Sequence, residues 1–290
     1  PEGYTLNSEY ATFTISTEGV FETDEEGNAI FTALFKDEPV KGQIEVSVTG
    51  DVLKGFEDGD FTYESQTLGN AKFNIVAARD IMDPSNDGTV LYEEGEVVET
   101  VTTKRDSQSN EYKIVTSKLP LGWYNVEQVS APHGYVVNTE PQLVKLEYID
   151  QKEKNHIVKK SVSFENDRQK YEVSTTKLDK ETDAPVAGAE FTLYADEDIY
   201  APGIEEPIVT KDTAIAKAVS NDSGKATFDI YLPCDIELYE KETKAPLGYV
   251  STTQREDFNT NYTNDKEALV KVENTFKNAP TTIESYKFCL

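Results

Sequence analysis

The feature that most constrains the fold is an internal repeat of short, alternating segments. The stretch LGNAKFNIVAARDI (Leu68–Ile81) matches VAGAEFTLYADEDI (Val186–Ile199) without gaps. Each copy places Phe and aliphatic residues on alternate positions after a small-residue turn, which is the pattern of a half-buried β-strand. DEEGNAIF (Asp24–Phe31) resembles NDSGKATF (Asn221–Phe228), and in both a glycine supplies the positive φ of a turn that leads into a strand. Such self-similarity predicts several copies of one domain.

The motif Ala-Pro-x-Gly-Tyr marks a second repeated turn. It occurs in VEQVSAPHGYVV (Val126–Val137) and EKETKAPLGYVS (Glu240–Ser251), and the chain itself begins with PEGYTLN. Pro restricts φ, and Gly tolerates the backbone conformation that a tight bend requires. The motif therefore predicts a turn at the end of a strand. Three places before the alanine stands Glu242 in one copy and Gln128 in the other.

Similar segments also end each repeat: FKDEPVK from Phe35, FENDRQK from Phe164 and, more loosely, VENTFKN from Val272. About seven short strands per repeat and no long helical period predict an all-β chain of tandem immunoglobulin-like β-sandwiches. The expected division is residues 1–40, the C-terminal part of a truncated repeat; 41–170 and 171–278, two whole sandwiches; and 279–290, a linker or truncated tail.

The net charge and the amino-acid composition limit which functions the chain can have. The formal charge is −26, from 28 basic and 54 acidic residues, which argues against a nucleic-acid partner and against docking on anionic lipid. The hydrophobic content of 37% is sufficient for packed cores. There is no apolar run of membrane length. Cys234 and Cys289 lack the spacing of a zinc or redox motif, and His133 and His156 are the only histidines.

Little in the sequence favours an enzyme, a cofactor or a metal. No G-x-S-x-G nucleophile elbow occurs, and the two histidines lie in ordinary polar contexts. The polar loop Met82–Gly88 suggests calcium only weakly, because it lacks the ligand spacing of an EF-hand. We therefore expect no cofactor and no metal site.

The order of these motifs resembles a known family. A first strand bearing a lysine is followed by the AGAEF strand, a glycine turn, Y-x-x-x-E-x-x-A-P-x-G-Y and a terminal strand ending in Asn. This pattern is similar to the B-type repeat of Gram-positive collagen adhesins, which has the SpaA-like, prealbumin-like fold of pilins and surface stalks. It covers nearly the whole chain except residues 279–290. The resemblance implies an extracellular, cell-wall-associated array of β-sandwiches, often locked by a Lys–Asn isopeptide bond that a nearby Glu promotes.

By this resemblance, Lys177 and Asn274 of the last repeat are the bond-forming residues and Glu242 is the catalytic acid. Strand alternation places both bond residues on predominantly apolar faces, which they share with Tyr171, Val173 and Thr175 and with Val270, Val272 and Phe276. Burial lowers the pKa of a lysine and favours a protonated carboxyl, which suits both roles. The alternatives are a solvated strand lysine and an asparagine that makes a turn.

The middle repeat departs from this pattern. Val48 stands where the lysine is expected and Gln128 replaces the glutamate, while Asn166 is retained. A valine is not a nucleophile and a glutamine cannot donate the needed proton, so we predict no isopeptide bond in this repeat. A shifted register that turned Glu127 inward would not restore the bond, because Val48 would remain.

In the truncated first repeat, Asp37 takes the asparagine position, on the face of Phe31, Ala33 and Phe35. Aspartate can form the same amide by losing water. Its lysine and glutamate would lie upstream of Pro1, so no bond is expected within this chain. Alternatively, Asp37 caps the strand end.

These features predict a structural stalk or repeat segment of a bacterial surface adhesin or pilus-like protein, whose neighbours are other domains of the same protein. The alternative is a binding module for host matrix protein or glycan, with Tyr200 or Trp123 as candidate contact residues. The sequence leaves open the choice between backbone pilin and adhesin stalk.

Overall fold

The chain is described by a computed structural model that covers residues 3–5, 10–12, 22–148 and 157–282. No helix occurs in these ranges, so none there can cross a membrane. The strands are β1 Lys41–Glu57, β2 Asp60–Thr67, β3 Lys72–Ala77, β4 Ile81–Met82, β5 Val90–Tyr92, β6 Val97–Thr102, β7 Lys104–Arg105, β8 Tyr112–Val115, β9 Leu119–Pro120, β10 Gly122–Ser130, β11 Gln142–Leu146, β12 Ile157–Asn166, β13 Lys170–Asp179, β14 Glu190–Ala195, β15 Ala214–Val219, β16 Lys225–Thr227, β17 Glu237–Lys244, β18 Arg255–Asn259 and β19 Leu269–Asn278.

Strands β1 to β12 form the first sandwich. One sheet has the order β12-β1-β8-β7, with β2 and β9 also paired to β1, and the facing sheet has the order β11-β10-β3-β6. β4 and β5 form a separate two-stranded hairpin. The first and last strands, β1 and β12, run parallel, with Val48 opposite Phe164. Buried aliphatic and aromatic residues from both inner faces, including Ile44, Phe73 and Val126, fill the space between the sheets.

Strands β13 to β19 form the second sandwich, with a three-stranded sheet β16-β13-β19 facing a four-stranded sheet β15-β14-β17-β18. Its first and last strands, β13 and β19, are again parallel, and Lys177 lies opposite Phe276. Burial alternates along β13 as the sequence predicts, with Tyr171, Val173 and Lys177 inside. The prediction of an all-β fold of tandem β-sandwiches is confirmed.

The glycine turns have the predicted geometry. Gly27 and Gly224 have φ of 85° and 73°, and the side chains of Asp24 and Asn221 accept hydrogen bonds from the backbone N–H groups of their own turns. A short polar side chain followed by a glycine thus satisfies the turn locally.

The Gly-Tyr turn forms the same junction three times. Tyr4, Tyr135 and Tyr249 each follow a glycine with φ between 84° and 87° and make an isolated bridge, to Pro39, Arg168 and Pro280 respectively. Two residues before these bridge partners stand Asp37, Asn166 and Asn278. These three residues therefore occupy equivalent positions in the fold.

The segment before β1 does not form the strand that the sequence pattern suggested. Residues 31–37 form no strand, and Phe31 and Phe35 are 42% and 51% exposed. A strand requires a neighbour for its backbone hydrogen bonds, and in the described part of the chain no strand pairs with this segment. The shared strand face expected for Asp37, Phe31, Ala33 and Phe35 is therefore absent, and Asp37 itself is half-buried.

The two sandwiches are joined by a packed junction. The extended end of β1 and the start of β2 place Phe56, Phe61 and Tyr63 against the core of the second sandwich. The buried Gln169 side chain, between β12 and β13, donates hydrogen bonds to Thr263 Oγ1 and to the carbonyls of Asn264 and Glu267 at 2.9, 3.1 and 2.7 Å. The aromatic side chains thus extend the core of the second sandwich toward the first, and the hydrogen bonds of Gln169 fix the segment between β12 and β13 against the loop before β19.

Candidate cross-linking site

Lys177 is the central buried cation of the second sandwich. Its side chain is fully buried on the inner face of β13, and its Nζ lies 5.9 Å from the centroid of the Phe191 ring. The backbone is fixed by the glycine turn, because Lys177 N donates to Gly224 O at 2.7 Å. Desolvation lowers the pKa of the Lys177 ammonium, and the neighbouring Glu242 carboxylate opposes this shift. A neutral amine is therefore more accessible here than in water.

Glu242 on β17 bridges the lysine and an asparagine. Its side chain is 1% exposed. Its Oε1 lies 2.9 Å from Lys177 Nζ, which is within ion-pair distance, although the angles of the contact are not those of a hydrogen bond. On the other side, Asn278 Nδ2 donates to Glu242 Oε1 and Oε2 at 2.9 and 2.7 Å. One carboxyl group thus contacts both an amine nucleophile and the nitrogen of a carboxamide.

The asparagine in this arrangement is Asn278 and not Asn274. Asn274 Nδ2 donates to a different acid, Glu240, at 2.7 Å, and belongs to a separate buried cluster with Thr175. The structure thus brings Lys177 together with Glu242 but does not place Asn274 at that carboxyl. Asn274 and Asn278 are four residues apart, so both face the core, and alternation alone cannot separate them. The signal that could have done so is Phe-x-Asn, shared by Phe164–Asn166 and Phe276–Asn278.

Glu240 is a second buried acid on the same face of β17 as Glu242. It is fully buried, and desolvation raises its pKa despite the hydrogen bonds from Thr175 and Asn274, which act in the opposite direction. Thr175 Oγ1 donates to Glu240 Oε1 at 2.5 Å. Strand alternation in the sequence places Thr175 on the inner face but gives it no role, and no sequence motif identifies Glu240.

The first sandwich has a neutral version of the lysine site. Val48 is fully buried opposite Phe164, where the second sandwich has Lys177 opposite Phe276. Gln128 and Asn166 form a reciprocal amide pair, with hydrogen bonds of 2.8 and 2.7 Å in the two directions. Glu127 lies on the opposite face of β10 from the buried Gln128, as alternation predicts. Every polar group of this pair has a partner without a lysine.

The other residues singled out by sequence lie away from these clusters. The Trp123 ring is covered by Arg79 and Lys145, at 4.9 and 5.2 Å from its centroid. Tyr200 is half exposed at the rim of a cleft of about 420 Å³ between the sandwiches. In that cleft wall, burial raises the pKa of the Cys234 thiol to about 11, which keeps the thiol protonated. His156 and Cys289 lie outside the described residues.

The loop Met82–Gly88 uses its acids for turns. Asp83 and Asp87 accept backbone hydrogen bonds from Ser85 and Thr89 at 2.8 and 2.9 Å. Among the described residues, no group of three or more His, Cys, Asp or Glu side chains is arranged to hold a metal ion.

Comparison with solved structures gives several similar chains. The Bacillus anthracis TIE protein is 26% identical with a TM-score of 0.49, and the match covers 84% of this chain but only 35% of that one. The shaft pilin SpaA from Lactobacillus rhamnosus GG is 17% identical with a TM-score of 0.30, and the match covers 85% of this chain and 100% of the pilin. A C-terminal fragment of the pilus adhesin SpaC from Lactobacillus rhamnosus GG is 17% identical with a TM-score of 0.39, over 85% and 100% of the two chains.

None of the curated proteins compared with the chain matches it. The family described as SpaA, the prealbumin-like fold domain, matches residues 62–161 and 171–275, which is well over half of the chain and includes part of each sandwich. The chain therefore belongs to the family of SpaA prealbumin-like fold domains.

Proposed function

We propose that this chain is a structural stalk segment of a Gram-positive bacterial cell-surface adhesin or pilus-like protein, and that its second sandwich closes an isopeptide bond between Lys177 and Asn278. The single observation that carries the bond is Glu242, whose buried carboxyl contacts both Lys177 Nζ and Asn278 Nδ2 within 3 Å. The bond partner proposed on geometry thus replaces Asn274, the partner proposed on sequence.

The reaction needs only the three side chains. The Lys177 amine attacks Asn278 Cγ, Glu242 accepts a proton from the nitrogen that attacks, and the same carboxyl delivers a proton to Asn278 Nδ2. The Cγ–Nδ2 bond breaks and ammonia leaves, so an amide and an amine become a secondary amide. This is a single self-modification without turnover, so the chain is not proposed to be an enzyme.

We propose no bond in the first sandwich, because Val48 offers no nucleophile and Gln128 already forms hydrogen bonds with Asn166. Asp37 stands two residues before the bridge partner of a Gly-Tyr turn, which is also the position of Asn166 and Asn278. We propose Asp37 as a bond residue of the repeat to which residues 1–40 belong.

An internal cross-link suits a spacer that must survive force and proteolysis, because it limits the opening of the domain. The strongly acidic surface fits exposure to the extracellular medium, where net charge keeps the protein soluble. The alternative is a binding module for host matrix protein or glycan, and no contact of the described residues favours it.

Peptide mapping by mass spectrometry tests the bond. A digest of the folded protein should contain a branched peptide that joins Lys177 to Asn278 and lacks one ammonia. The Lys177→Met and Asn278→Ala variants should lose this peptide, whereas Asn274→Ala should retain it. Linear peptides with free Lys177 and unmodified Asn278 in correctly folded wild-type protein would refute the proposal.

A further inference from the structure

The second sandwich contains two buried clusters built on one plan. In each, β13 supplies a heteroatom nucleophile, β17 supplies a carboxyl group and β19 supplies a carboxamide. The first cluster is Lys177, Glu242 and Asn278. The second is Thr175, Glu240 and Asn274, in which Glu240 Oε1 receives the Thr175 hydroxyl at 2.5 Å and Oε2 receives Asn274 Nδ2 at 2.7 Å.

From this correspondence we propose that Thr175, Glu240 and Asn274 form a second self-acylation site, which joins Thr175 Oγ1 to Asn274 Cγ as an intramolecular ester.

The register of the strands favours this pair. Thr175 and Asn274 are direct partners in the parallel ladder of β13 and β19, so their side chains emerge side by side on the inner face. Asn278, in contrast, is the direct partner of Asp179, two residues beyond Lys177. The short Thr side chain therefore suits the adjacent Asn274, as the long Lys side chain suits the more distant Asn278.

The reaction balances without any further reagent. Glu240 as a carboxylate takes the Thr175 hydroxyl proton while Oγ1 attacks Asn274 Cγ, and the protonated Glu240 then gives a proton to Nδ2. The Cγ–Nδ2 bond breaks, one ammonia leaves and an ester remains. Thr175 and Glu240 are both fully buried and Asn274 is half-buried, so access of water to the ester is restricted once it forms. Burial also makes the Glu240 carboxylate a stronger base than an ordinary one.

A purely structural hydrogen-bond network is the competing explanation, and the first sandwich argues against it. In the aligned strands, Val46 and Val162 stand opposite one another in the β1–β12 ladder as Thr175 and Asn274 do in β13–β19, and Val126 takes the place of Glu240. Val46 and Val126 are fully buried there. The fold therefore packs well with valine at all three positions, and a buried carboxyl costs free energy that valine does not. The polar cluster occurs only in the sandwich that also has Lys177.

The experiment uses the full chain with Lys177→Met, which removes the amine of the first site. Its intact mass should still be lower than the sequence mass by one ammonia, and the digest should contain a peptide that joins Thr175 to Asn274. Hydroxylamine should cleave that link and leave a hydroxamate on residue 274, whereas an isopeptide bond resists this reagent. Thr175→Ser should keep the link, and Thr175→Val and Glu240→Gln should abolish it.

If Lys177→Met does not fold, the wild-type protein gives the same information. Two ammonias should be missing from its intact mass, and one of the two links should be sensitive to hydroxylamine. A folded protein whose digest contains unmodified Thr175 and Asn274 peptides would overturn the ester proposal. That result would leave the Lys177–Asn278 bond untouched, since each site is read from its own peptides.

Discussion

Installing the cross-link in the first sandwich is the sharpest test of the geometry. The double substitution Val48→Lys and Gln128→Glu supplies the two missing groups beside the retained Asn166. The surroundings match, because Phe73 and Phe164 pack with ring centroids 4.9 Å apart, and the corresponding Phe191 and Phe276 are 5.1 Å apart. We expect the variant to lose one additional ammonia and to join residue 48 to Asn166.

The gain in stability can be worked from the loop that the bond closes. Residues 48 and 166 enclose a segment on the order of 100 residues, and closing such a loop removes about 4–5 kcal/mol of chain entropy from the unfolded state. For a domain of this size the gain corresponds to a rise of roughly 15–20 °C in Tm. Val48→Lys alone should instead lower stability by about 3–5 kcal/mol, because it buries an ammonium without a carboxylate.

Intact mass and thermal unfolding of four proteins complete the assay: wild type, Val48→Lys, the double variant, and the double variant with Asn166→Ala. The last protein controls for packing changes, since it has the amine and the acid without the carboxamide. A folded double variant that keeps its full mass would show that a lysine, an acid and an asparagine on these strands are insufficient for the reaction.

Two further predictions concern the second sandwich. Gly224→Ala should lower the free energy of unfolding by about 2–5 kcal/mol, because its Cβ would lie 2.5 Å from Lys177 O at a φ of +73°. Gly248→Ala, at a φ of +84° with open space around it, should lower it by only about 1–2 kcal/mol. Equal losses in urea titrations of the two variants would contradict the role of the Lys177 carbonyl contact. The pKa of Glu240 is raised in the folded protein, so its contribution to stability is complete below the ordinary value of 4.5 and is lost as pH rises through the folded pKa. Glu240→Gln should therefore show a smaller decline in unfolding free energy with rising pH than wild type, and parallel pH profiles would disprove this.

The fold could be predicted well because its determinants are local. Alternating burial along β13, the glycine turns and the Ala-Pro-x-Gly-Tyr junction all follow from residue type and spacing. The exposed segment 31–37 could not be predicted, because a strand pattern becomes a strand only where a neighbouring strand accepts its hydrogen bonds.

The site could be predicted only in part. Lys177 and Glu242 were identifiable from their motifs, but Asn274 and Asn278 share one face of β19, and the choice between them depends on the strand register. Thr175 and Glu240 were missed because an inward Thr and an alternating Glu carry no motif. Their significance comes from three-dimensional proximity and from the valines at the corresponding positions of the first sandwich.

The parallel pairing of first and last strands decides how each sandwich would carry tension along a stalk. A pull enters the second sandwich at the start of β13 and leaves at the end of β19, so all ladder hydrogen bonds between these strands are loaded together in shear. With Lys177 tied to Asn278, tension would pass across the covalent bond and bypass residues 178–277. Without such a bond, β1 and β12 of the first sandwich would be held together by hydrogen bonds, so we expect this sandwich to extend first, and reversibly, while the second keeps its length.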